Sequence, residues 1–332
     1  MYEQFYGLSE RPFSITPNPR FVYLSQRHQD ALAHLLYGVG QGGSGGFVQL
    51  TGEVGTGKTT LCRLVLEQVP EHTRIALILN PMLEPPELLR AICDELEVAV
   101  AETDGLQALQ RKLNQFLLDC HSRGERVVLI IDEAQNMSRE ALEQIRLLTN
   151  LETATDKLLQ IILLGQPELR HLLGRPELRQ LAQRITARYH LDPLNASETA
   201  HYVRHRLAVA GSERGPFKRD AMKALYEESG GVPRLINIIA DRALMAGYAH
   251  ELDAIDARIV HEAAREVAGD EWDEGSGWLR GALAGVVMTV VLLGGAGLVW
   301  TMQRAPESDI ATSNPAWMVA LEQAGLTNAA AE

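Results

Sequence analysis

The sequence predicts an α/β fold in which a doubly wound parallel sheet is followed by a small helical unit. From Phe47 onward, short apolar runs alternate with amphipathic stretches, the pattern of strands joined by crossover helices. After Leu194 the strand pattern stops and apolar residues recur only at helical spacing. A third feature lies near the far end. Residues 281–302 run for 22 positions without a charge, which at about 1.5 Å per residue is long enough for a bilayer core.

Taken in order, residues 1–46 form an aromatic-rich arm and a first helix. Tyr2, Phe5, Tyr6, Phe13, Phe21 and Tyr23 suit an arm packed on the body, and Pro12, Pro17 and Pro19 keep its path irregular. Ser25 caps a helix with Ala31, Leu32, Leu35 and Leu36 on its apolar face. That helix ends at Gly38, before the glycine run 42–46. The α/β unit takes residues 47–194, with strands at 47–50, 74–79, 127–131 and 159–164 and a short one at 188–191. Helices fill the intervals at 59–68, 86–96, 106–121, 138–149 and 167–173.

Four helices, at 197–210, 219–229, 233–249 and 253–268, build a lid unit over residues 195–269. Residues 270–280 form an acidic linker and 281–303 a transmembrane helix. Arg280 and Arg304 bracket that helix, and Trp278 and Trp300 suit an interfacial belt. Residues 304–332 are a short tail, and Gly281 and Gly285 offer a weak small-residue packing match.

The 332 residues carry 31 Lys and Arg against 43 Asp and Glu, a net charge of −12 that argues against a basic nucleic-acid coat. With 46% hydrophobic and 22% charged residues, the composition excludes a disordered or collagen-like chain. Cys62, Cys93 and Cys120 are widely spaced and read as thiols of a reducing compartment. His201 and His205 lie four apart on a helix with no carboxylate motif beside them, which favours a solvated face over a metal site.

Chemistry concentrates in two segments. Gly52-Glu53-Val54-Gly55-Thr56-Gly57-Lys58-Thr59 follows an apolar run and precedes a helical pattern, matching G-x-x-x-x-G-K-[ST]. Backbone N–H groups of such a loop close around phosphate oxygens, so residues 52–60, with Thr60 included, are the expected ATP cradle. Lys58 would face the β- and γ-phosphates, and the Thr59 hydroxyl would ligate Mg²⁺. The second segment is Asp132-Glu133, at the end of the apolar run 127–131. Asp132 would hold magnesium through its water shell and Glu133 would orient the attacking water.

Three further residues are candidates. Gln166, after the run 159–164, could sense the γ-phosphate or could simply enter the next helix before Pro167. Arg184 is favoured over Arg188 as an arginine that reaches a neighbouring subunit's nucleotide, because Arg188 falls where the last strand is expected to begin. A surface ion pair is the plain alternative for either. Gly230-Gly231-Val232-Pro233-Arg234 opens a helix that would aim Arg234 back at the cleft, as against an ordinary first-turn arginine. Phe13 or Tyr23 of the arm could meet adenine, as the entry segment does in similar ATPases, or else pack on the body.

In this order the motifs resemble those of AAA+ ATPases: Walker A, Walker B, sensor 1, arginine finger and sensor 2. More closely, Tyr6-Gly7-Leu8 with Arg11-Pro12-Phe13-Ser14, Asp132-Glu133-Ala134-Gln135, residues 146–152 (RLLTNLE) and Gly165-Gln166-Pro167-Glu168-Leu169 resemble the ExeA or general secretion pathway protein A family. The resemblance covers residues 1 to about 268. It implies a P-loop NTPase (AAA+) fold and a homo-oligomeric ATPase of the bacterial inner membrane, with its ATPase domain in the cytoplasm. Such a protein helps to assemble a type II secretion system or a type IV pilus of the mannose-sensitive haemagglutinin (MSHA) kind, with secretion or pilus proteins as partners.

Longer family members carry a periplasmic peptidoglycan-binding domain. The 28 residues after Arg304 are too few for one, which argues against direct cell-wall binding. Two rivals share the core. A DNA-handling ATPase of the transposition or origin-recognition type would use Arg204, Arg206, Lys218 and Arg219 as a basic strip, although the acidic balance and the apolar run make nucleic acid an unexpected partner. The other rival is a non-hydrolysing, nucleotide-gated scaffold.

Overall fold

The computed structural model describes residues 1–269 apart from 17, 41–45, 154–155 and 213–214. The glycine run 42–45, the linker 270–280, the expected membrane helix 281–303 and the tail 304–332 lie outside the described residues. Among the described residues, no helix is long and apolar enough to cross a membrane.

Five strands build one parallel sheet: β1 (Gly46–Gly52), β2 (Thr73–Ile78), β3 (Arg126–Ile131), β4 (Leu159–Gly165) and β5 (Ile185–Leu191). Their order is β2-β3-β4-β1-β5. β1, β3 and β4 are apolar on both faces because helices cover both, as parallel crossovers require. On one face, Val48 and Leu50 of β1 and Ile162 and Leu164 of β4 meet α2 (Gln26–Val39) and α3 (Lys58–Gln68). The alternate residues, Phe47, Leu129, Ile161 and Leu163 among them, meet α4 (Pro85–Glu95), α5 (Leu106–Ser122) and α6 (Arg139–Leu148). The short α7 (Glu168–Leu173) and α8 (Arg179–Ala182) extend that second layer through Leu169 and Leu181.

β5 is longer than the sequence pattern suggests, running from Ile185 rather than Arg188. Among the described residues it is an edge strand paired only with β1, so Thr186 and Arg188 need no apolar partner and the alternation that flags a strand is weak. Arg188 therefore lies inside the strand, and Arg184 just ahead of it.

Four helices follow: α9 (Ala196–Val209), α10 (Arg219–Ser229), α11 (Pro233–Ala249) and α12 (Ala257–Ala268). Their buried faces share one core through Leu207, Leu225, Ile236, Leu244 and Ile259. α12 begins at Ala257, not at Asp253. Ile255 is held extended against Phe217, and Asp256 caps the helix by accepting from the Ile259 N–H at 3.2 Å.

The amino-terminal arm packs on these helices rather than on the sheet. Tyr2, at the start of the four-residue α1 (Tyr2–Phe5), joins Leu8, Phe13 and Phe21 in the helical core. Ser9 donates its N–H to the Ala210 carbonyl at 2.8 Å, and the Tyr6 hydroxyl donates to the Leu252 carbonyl at 2.9 Å. Phe13 is buried edge-on against Phe217, with ring centroids 6.0 Å apart, so it cannot lie on adenine.

Arg206 corrects another expectation. Only 7% exposed, it donates to the carbonyls of Pro12 and Ser14 and to the Tyr202 hydroxyl, and it stacks over the Phe21 ring. It fastens the arm to α9 and cannot belong to a surface basic strip. Arg206→Ala leaves those acceptors buried without their donor, and should lower unfolding free energy in urea by about 2–4 kcal/mol. Arg204→Ala, on the exposed side of the same helix, should leave the urea midpoint unchanged.

Candidate functional site

All five strands point the same way, so β1, β3 and β4 end at one edge of the sheet, where α/β folds bind ligands. β1 ends at Gly52, the loop 53–57 turns back, and α3 starts at Lys58 with its free N–H groups facing the turn. The Thr56 hydroxyl donates to the Glu53 carbonyl at 2.9 Å and tightens the loop. Lys58 is buried, and its ammonium donates to the carbonyls of Gly52 at 2.8 Å and Glu53 at 2.9 Å. Burial pushes its pKa down, while Glu133 and Asp132 pull the other way.

Asp132 follows β3 and is buried to 4% exposure. Its Oδ2 accepts from the Thr59 hydroxyl at 3.0 Å, and its Oδ1 accepts from the Glu133 N–H at 2.9 Å. The same carboxylate thus touches both the loop helix and the next residue of its own chain. Glu133 adopts the left-handed conformation, at φ 52° and ψ 37°, which side-chain-bearing residues rarely take. Its Oε2 accepts from Gln135 Nε2 at 2.6 Å and from Gln166 Nε2 at 3.1 Å. Burial raises the Glu133 pKa, but these two amides and the Lys58 charge outweigh it and hold the carboxyl below the usual range. Gln135 Oε1 in turn accepts from the Gln166 N–H at 3.0 Å, closing a small ring of bonds.

The helical unit reaches the loop directly. The Arg234 N–H, in the first turn of α11, donates to the Gly55 carbonyl at 3.3 Å. A Cβ built on Gly55 would come within 2.5 Å of the Arg234 Cβ, so only glycine fits there. Between loop, arm and helices lies a cleft of about 440 Å³, lined on one side by Gly55–Thr60 and Glu133 and on the other by Tyr23, Tyr202, Arg234 and Asn237. Val54 lines the same cleft.

The comparisons fit this geometry. The family model described as AAA domain matches residues 41–173. General secretion pathway protein A of Aeromonas hydrophila is 53% identical over 291 residues, covering 87% of this chain. This chain belongs to the general secretion pathway protein A family of AAA domain proteins. It spans about half of that relative's length, 52%. Among solved structures, Cdc6p from Pyrobaculum aerophilum superposes with a TM-score of 0.59 at 18% identity, covering 77% of this chain and 70% of that one. The Aeropyrum pernix ORC1 protein, solved in complex with DNA, gives 0.57 at 15% identity over 78% and 69%. At such identities the likeness establishes the α/β P-loop NTPase fold alone.

In this member of the secretion protein A family, one edge of the sheet brings together Lys58, Thr59, Asp132, Glu133 and Gln166, and the helical unit adds Arg234. Arg184 is elsewhere. Its guanidinium donates to the Thr149 hydroxyl, to Asn150 Oδ1 at 2.6 Å and to the Arg146 carbonyl at 3.4 Å, away from the cleft of its own chain. Tyr23 does line the cleft, edge-on to Tyr202, whereas Phe13 does not. His205 is half-buried against the Tyr23 ring rather than solvated, and His201 is exposed.

Sequence reasoning passed over Gln135 and His28. Gln135 sits two residues after Glu133, a spacing that brings its side chain back to that carboxylate, and so it was within reach of a local reading. The left-handed Glu133 generates a prediction. Glu133→Gly and Glu133→Ala lose the same carboxylate bonds, so the glycine variant, free of the backbone strain, should exceed the alanine variant in unfolding free energy by about 1 kcal/mol in a denaturant titration.

Proposed function

We propose that this chain is a magnesium-dependent ATPase that works as a homo-oligomer in assembling a bacterial envelope machine. The observation that carries the reading is the 3.0 Å contact between Thr59 and Asp132, which joins the phosphate-loop helix to the acidic pair. In this reading residues 47–194 bind the nucleotide and residues 195–269 close over it. The residues fit the implied metal: a hydroxyl and a carboxylate side by side are the hard oxygen donors that magnesium takes while keeping several waters. When bound, magnesium neutralises charge on the β- and γ-phosphates.

The chain's own residues supply the rest. Loop amides of residues 53–60 receive the phosphates, and Lys58 exchanges its two loop carbonyls for phosphate oxygens. Glu133, ionised at neutral pH, accepts a hydrogen bond from the attacking water, and the Gln135 and Gln166 amides keep its carboxylate aimed. Gln166 reports the γ-phosphate to β4, and Arg234 reports it to α11. Arg184 lies outside its own cleft, which suits an arginine that serves the nucleotide of a neighbouring copy.

The kind of machine rests on the relative's name, general secretion pathway protein A. A type II secretion system, or a type IV pilus such as the MSHA pilus, is the proposed setting. Residues 281–303 are proposed to anchor the chain in the inner membrane, with residues 1–277 on the cytoplasmic side where ATP and magnesium are.

Equilibrium binding of labelled ATP and steady-state phosphate release test the site. Lys58→Ala should abolish binding. Glu133→Gln should bind like the parent but turn over at least about a hundredfold more slowly. A Glu133→Gln chain that hydrolyses ATP at the parent rate removes Glu133 from its role.

A further inference from the structure

His28 belongs to none of the motifs above, yet it touches the phosphate loop. It lies in the first turn of α2, the helix capped by Ser25, and is only 6% exposed. Its Nδ1 is 2.7 Å from Ser25 Oγ, and its Nε2 is 3.0 Å from the Thr56 carbonyl oxygen. A carbonyl can only accept, so Nε2 carries the proton and Nδ1 accepts from the Ser25 hydroxyl. Burial favours this neutral ring by pushing its pKa down, against the opposing pull of the Thr56 carbonyl and Glu198. Both ring nitrogens are thus committed, and the ring has one orientation.

The bond to Thr56 has a consequence across the peptide. In a planar trans peptide, C=O and N–H point in opposite directions. Holding the Thr56 carbonyl toward α2 turns the Gly57 N–H away from α2, into the row of amides that opens α3. Gly57 caps α3 in the left-handed region at φ 107°, and a Cβ there would stand 3.2 Å from His28 Nε2. The imidazole therefore packs against the loop as well as bonding to it. α2 itself is set on β1 and β5 through Leu32 and Leu35, so its frame is the sheet and not the helical unit.

We propose that His28 is a positioning residue of the phosphate cradle, which by holding the Thr56 carbonyl aims the Gly57 N–H at the triphosphate. This rests on the reading of residues 52–60 as an ATP site. The test uses the full chain with ATP as the probe, comparing the parent, His28→Leu, His28→Gln and Lys58→Ala. His28→Leu should raise KM for ATP about tenfold with kcat within about twofold, the signature of lost binding geometry rather than lost chemistry. His28→Gln, whose amide can donate to the same carbonyl, should recover most of that loss.

Melting without nucleotide separates general destabilisation from the effect on the loop. If His28→Leu does not fold, Ser25→Ala, which frees the ring, replaces it and should raise KM about threefold. Nitrogen-detected NMR of the parent should find the Nε2–H tautomer, and an Nδ1–H ring overturns the assignment. Unchanged KM in both His28→Leu and Ser25→Ala overturns it too, as does a His28→Gln chain of parental melting temperature that binds no better than His28→Leu. A parent chain that binds ATP while these variants match it removes His28 alone. A parent chain that does not bind ATP removes the ATP reading and His28 together.

Discussion

Parallel pairing governs where the two halves of the site meet. β1 and β3 are not neighbours. β4 lies between them, with Gln49 level with Leu163 and Leu163 level with Ile131. A slip of one residue in either pairing would shift Asp132 by about 3.3 Å along the sheet and turn it to the opposite face. Thr59 could then no longer reach it. The near-continuous apolar character of β3 and β4 keeps that register, because every residue of β4, and every residue of β3 after Arg126, has a buried place on one face or the other.

On that frame the phosphate loop is held from three directions. Asp132 grips its helix through Thr59, His28 faces Thr56 from α2, and Arg234 meets Gly55 from the helical unit. Each contact falls on a different residue of the loop or its helix and comes from a different element. The acidic side is equally continuous, since Asp132, Glu133, Gln135 and Gln166 form an unbroken hydrogen-bonded path from β3 to the end of β4. The left-handed turn at Glu133 directs its side chain along that path, a local cost that the surrounding bonds sustain.

Much of this could be read from the sequence because it is local. The loop, the acidic pair and strands β1 to β4 are contiguous runs whose residue types announce their role, and α10 and α11 begin and end where the helical pattern does. What escaped is non-local or unpatterned. Arg206 reads as one more surface arginine beside Arg204, and its contacts with the arm, among them the bond to Pro12, 194 residues away in the chain, make it a core residue. The arm's aromatic residues show that it packs, but not that it packs on helices from the other end of the fold. A single histidine such as His28 carries no spacing signal, and the polar edge strand β5 conceals its first residues.

The course of the arm alters which parts of the molecule are mechanically joined. Tyr2 bonds Asp241 on α11, and Arg206 clasps residues 12–14 from α9, so the first two dozen residues travel with the last helices even though α2 is seated on the sheet. Any swing of the helical unit must therefore flex two crossings, one near residues 22–25 and one near 192–195, and not a single hinge. A bulky fusion at the amino terminus would load that swinging part, whereas a cargo attached to the β2 edge would leave it free.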